Sequence, residues 1–140
     1  MNSDLERQIQ NLVATLCETL FGDNVRVELA QASNDADLLW GRITIAADHP
    51  IQLWVGTSRH FITRVTRRLL ASRHVSDSDL EDATRELTNI IAGNLKTLIA
   101  PDANMGIPEL TQPPPRATQS RAVTLSIDSD TLGVIIESAA

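Results

Sequence analysis

Tyrosine is absent from this 140-residue chain, and Phe21, Trp40, Trp54 and Phe61 are its only aromatic residues. A surface that stacks bases is hard to build from so few rings. Basic residues are outnumbered, 12 Lys and Arg against 18 Asp and Glu, and the formal charge of −6 speaks against a general nucleic-acid binder. Cys17 is the single cysteine, so no internal disulfide can form and a reducing compartment is compatible. At helical spacing it sits at the edge of an apolar stripe, which predicts a packed, unreactive thiol. No apolar run reaches about 18 residues and Met1 opens no signal-peptide pattern, so neither membrane nor export is indicated and a cytoplasmic protein is expected. His49, His60 and His74 have no zinc-type spacing and no cysteine partner; they read as isolated surface histidines, and no metal site is expected. A nucleophile elbow, a phosphate loop and a dinucleotide fingerprint are all missing.

What is present is sufficient for one domain, residues 1–140, with a real core. Leu5, Ile9, Leu12, Val13, Leu16 and Leu20 recur at helical intervals until Gly22, predicting a helix over 4–21. Val25, Val27 and Leu29 alternate with Arg26 and Glu28, as a strand with one wet face does. Strands are expected over 38–46 and 51–55, joined by a turn at Asp48-His49-Pro50. Thr57 or Ser58 can cap a second helix running to about Ala71, and Ser76 with Asp79 caps a third, from Ser76 to Ile99. Pro101 stops it. A loop to Ser120 follows and holds five of the six prolines. Val123–Ile127 and Leu132–Glu137 read as a closing hairpin around Asp128-Ser129-Asp130. The order α-β-β-β-α-α-β-β defines an α+β domain with a largely antiparallel sheet packed with helices.

The third helix carries most of the functional information. On a wheel, Leu80, Ala83, Leu87, Ile90, Ile91, Leu95 and Leu98 share one face. Asp82, Glu86, Asn89, Gly93 and Lys96 share the opposite one. Glu86 and Asn89 are three apart and therefore neighbours. Gly93 is the odd choice, because a helix-interior glycine costs roughly 1 kcal/mol relative to alanine. A face approached closely by another molecule gains from it, since no side chain stands in the way.

The stretch ELTNIIAGNLKTLI, with Asp82, Glu86 and Asn89 followed by Gly93, Asn94 and Lys96, resembles the CheC/CheX family of chemotaxis phosphatases. The family signature is an Asp or Ser, three residues, a Glu, two residues, an Asn, about twenty-two residues and a Pro. The segment GRITIAADHPIQLWVGTSRHFITRVTRRLL resembles the strand–turn–strand–helix that precedes it. One signature is present, as in CheX, where CheC-type proteins usually carry two. Here Gln112 stands twenty-two residues after Asn89 and the proline is one later, at Pro113; the glycine usual after it is absent.

The resemblance implies a CheX-like fold and a phosphatase acting on the phospho-aspartate of a CheY-like response regulator. Asn89 would orient the attacking water and Glu86 would dock on a receiver lysine. Asp82, Gly93, Lys96 and Pro113 would face the partner. No cofactor of its own is implied, because Mg2+ would come with the receiver. The family's dimers through sheet edges imply a homodimer, with the closing hairpin as the natural edge. A module of the same fold that binds a receiver without catalysis is the alternative, and an assembly domain using the basic helix a third.

The remaining polar residues read more plainly. Asn94 falls near the apolar side and is expected to tie down the loop after Pro101. Arg59, Arg64, Arg67, Arg68 and Arg73 form a run without an acid among them. A solvated face balancing nearby carboxylates is the simpler reading, and a docking patch for an acidic partner or second subunit the sharper one.

Overall fold

The computed structural model describes residues 3–31, 37–71, 74–112 and 120–138. In chain order these form α1 (Ser3–Phe21), β1 (Val27–Ala30), β2 (Leu39–Ala46), β3 (Ile51–Thr57), α2 (Arg59–Leu70) and α3 (Asp77–Ile99). Four strands follow: β4 (Asn104–Met105), β5 (Glu109–Thr111), β6 (Ser120–Ile127) and β7 (Asp130–Ser138). The α+β reading holds, with two short strands added inside what the sequence presents as a loop.

Every strand pair is antiparallel, in the order β1-β6-β7-β3-β2-β4, with β5 also on β2. Alternation sends Ile43, Leu53, Val55, Val123, Leu125, Ile127, Leu132, Val134 and Ile136 to one face, where they meet the apolar stripes of the helices. From α1 come Leu5, Ile9, Val13 and Cys17, from α2 Phe61, Ile62 and Val65, and from α3 Leu80, Leu87, Ile91 and Leu95. Gly22, at φ 88°, ends α1 with its N–H on the Glu18 carbonyl, 2.9 Å away.

Two expectations about strands are overturned here. The closing hairpin β6–β7 is interior, flanked by β1 and β3, so it offers no edge for a partner. The sheet's edges are β1 and the β4–β5 side. On that side Met105 pairs with Ile45 and Glu109 with Arg42, so Gly106, Ile107 and Pro108 lie opposite only Ile43 and Thr44. This is a bulge, a common device for an exposed edge. Leu29 of β1 is 47% exposed, so only the start of that strand follows the predicted alternation.

Ser58 precedes α2 but its hydroxyl does not cap the helix. It donates to the Asp130 carboxylate (3.3 Å) and accepts the Thr131 N–H (3.2 Å). Asp130, expected in a turn, is instead the buried first residue of β7. His60 Nδ1 lies 2.9 Å from it and Arg64 Nη1 3.3 Å, so His60 is not an isolated histidine. Arg64 also stacks 4.5 Å over the Phe21 ring. Arg59 pairs with Asp77 at 2.7 Å and Arg68 donates to the Leu20 carbonyl at 2.6 Å. Arg59 and Arg64 thus balance carboxylates, as the simpler reading expects, while Arg68 bonds a backbone carbonyl and Arg67 is exposed; Arg73 lies outside the described residues.

Candidate functional site

Helix α3 is anchored at both ends. At its start Ser76 and Asp79 complete the expected capping box, each side chain bonding the other's backbone N–H at 3.1 and 3.0 Å. At its end Lys96 Nζ donates to the Pro101 carbonyl at 2.8 Å. That bond corrects the reading of Asn94. The loop is tied by Lys96, whereas Asn94 is exposed and donates to Ile90 of its own helix at 2.8 Å. Lys96 thus has a hydrogen-bond partner within the chain.

The roll of α3 about its axis is set where it crosses β2. Thr84 and Thr88 are buried and donate back to the Leu80 and Thr84 carbonyls at 2.8 and 2.7 Å, which satisfies both hydroxyls. Gly41 of β2 lies against Thr88 so closely that a Cβ there would overlap the threonine hydroxyl. With that side pinned to the sheet, Asp82, Glu86, Asn89 and Gly93 turn outward, as the wheel predicts. Glu86 is exposed and Asn89 half-buried. Leu98 departs from the wheel: it is 51% exposed and, with Ile90 and Asn94, lines an open groove of about 580 Å³ between α1 and α3.

Neither Glu86 nor Asn89 has a hydrogen-bond or ion-pair partner among the described residues. Asp82 is held by Arg85 at 2.9 Å. At Gly93 the structure adds a neighbour that the sequence did not suggest. Met105 Cε stands 3.7 Å from where a Cβ would be, and among the described residues nothing else outside the helix's own backbone lies within 4 Å. That is ordinary contact, so the chain itself does not require glycine there. Pro113 lies outside the described residues. No group of three or more His, Cys, Asp or Glu among the described residues is placed to hold a metal. No helix among them is long and apolar enough to cross a membrane.

The chemistry open to this arrangement follows from what it lacks and offers. Asn89 lines neither the groove on the α1 side nor the smaller one on the α2 side of α3. Asn89 is a half-buried carboxamide on the outward side of the helix, with a carboxylate one turn before it. It can be inserted into another molecule's site, donating from its NH2 and accepting through its oxygen. The fold and this surface define a class of α+β domains that present an Asn–Glu pair on one rigid helix.

The chain belongs to the family described as chemotaxis phosphatase CheX, whose model matches residues 39–130, well over half of its length. No curated protein matches the sequence. Among solved structures it is similar to a CheC-like superfamily protein from Shewanella sp. PV-4, at 16% identity and TM-score 0.71, covering 98% of this chain and 99% of that one. It is similar to the structure of a CheX–CheY–BeF3–Mg2+ complex from Borrelia burgdorferi, at 14% identity and TM-score 0.69, covering 96% and 97%. FliY from Thermotoga maritima shares the fold at 11% identity and TM-score 0.60, covering 99% and 92%.

Proposed function

We propose that this protein hydrolyses the phospho-aspartate of a CheY-like response regulator, with Asn89 and Glu86 as its working residues. The observation that carries the reading is the Asn89 amide, one turn from Glu86, both without a partner among the described residues, on a helix fixed at both ends and against the sheet. The family's description as a phosphatase supports it. So does the Borrelia structure, in which a CheX is complexed with CheY, BeF3 and Mg2+.

Phosphoryl transfer asks a catalyst for position and electrostatics more than for covalent chemistry. Asn89 donates to a phosphoryl oxygen while its carbonyl oxygen accepts from the attacking water. A carboxylate in that place would repel the phosphoryl oxygens. The water oxygen bonds to phosphorus as the bond to the aspartyl oxygen breaks. The products are inorganic phosphate and the free carboxylate, and the water's proton leaves with phosphate or solvent. Glu86 pairs with a receiver lysine and sets the register of the amide. Mg2+ is supplied by the receiver.

The same fold occurs in FliY, and fold alone does not fix catalysis. A module that binds the receiver without hydrolysing the phosphoryl group is therefore the competing reading. Kinetics separate the two. Asn89→Ala should lower turnover with KM little changed, and Glu86→Lys should raise KM by setting like charges together. A wild type that binds phosphorylated receiver but leaves its decay unchanged would favour the binding module.

A further inference from the structure

The half of α3 before Asn89 borders a second feature that the phosphatase reading leaves unused. Where α2 ends, Leu69 and Leu70 are 50% and 51% exposed. Together with buried Ala83 they floor a groove of about 240 Å³ between α2 and α3. Asp79, Asp82 and Glu86 form its α3 wall. Three carboxylates thus stand over two uncovered leucines. Arg85 balances Asp82 alone. On α2, Arg59 is held by Asp77, Arg64 by Asp130 and Arg68 by the Leu20 carbonyl, while Arg67 is exposed; Asp79 also accepts the Ser76 N–H. Glu86 belongs to this wall and to the Asn89 pair, so the groove borders the site.

We propose that this groove is a specificity pocket for the phosphorylated receiver, taking an apolar side chain flanked by a lysine or arginine. The assignment rests on the phosphatase reading and names the part of the surface that selects the partner. Charge complementarity argues for this occupant. An apolar side chain covers Leu69 and Leu70, while its basic neighbour meets the Asp82–Glu86 wall. An apolar centre inside a polar rim is the usual anatomy of an interface, and opposite charges add encounter rate and register. An acidic partner would face repulsion from Asp79 and Glu86, which no arginine balances among the described residues.

The test uses the full chain and a panel of CheY-like receiver domains from the same genome, each loaded with beryllofluoride and Mg2+ for binding and phosphorylated with acetyl phosphate for kinetics. Leu69→Ser/Leu70→Ser should weaken binding of the cognate receiver about tenfold and raise KM, with far less effect on turnover. Leu29→Ser, an equally exposed leucine on β1 at the far edge of the sheet, should bind as wild type does. Should the double variant melt well below wild type, the single Leu70→Gln is the readout. If the folded leucine variants bind like wild type while wild type both binds and dephosphorylates, the groove assignment is wrong and the phosphatase reading stands. If wild type neither binds nor dephosphorylates any receiver, both are wrong.

Discussion

Gly93→Ala sets stability against function at one atom. A glycine in a helix interior costs roughly 1 kcal/mol relative to alanine. Among the described residues the added methyl would meet only Met105 Cε, at 3.7 Å, so no steric term from them offsets the gain. The variant should be more stable by about 0.5–1 kcal/mol, which for a domain of this size raises Tm by about 2–4 °C. Urea and thermal melts measure this directly. If the glycine is there to let a receiver approach the helix, the same variant should dephosphorylate more slowly. Gly41→Ala provides the opposite case. Its Cβ would overlap the Thr88 hydroxyl, displacing it from the Thr84 carbonyl at a buried helix–strand contact. A loss of about 1–3 kcal/mol is expected from overpacking of that kind. A lower Tm for Gly93→Ala would refute the packing described around Met105. A higher Tm with unchanged phosphatase activity would refute the idea that the gap serves a partner.

Three further outcomes are expected. Asp130→Ala should cost about 2–3 kcal/mol in urea unfolding, because it strips Arg64, His60 and Ser58 of a buried shared acceptor; a loss under 0.5 kcal/mol would mean the cluster is not structural. Cys17 is pushed up to about 11, chiefly by burial and against the opposing pull of Arg64. The unfolded thiol therefore ionises first, and its contribution to stability should fall as pH rises from about 9 to 11. Urea midpoints of Cys17→Ala should show a smaller drop over that range than those of wild type. Lys96→Ala should cost up to about 1 kcal/mol and speed amide exchange in residues 101–105, with α3 otherwise unchanged.

The elements legible in the sequence are those written by local rules. Helical periodicity places α1 and α3 to within a residue or two, and the Ser76–Asp79 box marks the start of α3. Glu86 and Asn89 are neighbours by spacing alone, and the packing of Thr88 on Gly41 turns them outward. What was not legible depends on distant chain. Strands β4 and β5 are two and three residues long and exist only because β2 offers an edge. Asp130 reads as a turn residue because its partners Arg64 and His60 lie 66 and 70 positions away. The closing hairpin looked like an edge because order within a sheet is not encoded in the strands themselves. A wheel puts Leu98 with the core, but what covers its side chain is decided by where α1 runs.

The most direct test of the account is the decay of phosphorylated receiver domains from the same genome, followed alone, with wild-type protein, and with Asn89→Ala. The account predicts faster decay of at least one receiver with wild type, lost in Asn89→Ala even though the variant folds and still binds. Unchanged decay across the panel with folded wild type, or full activity in Asn89→Ala, would contradict it.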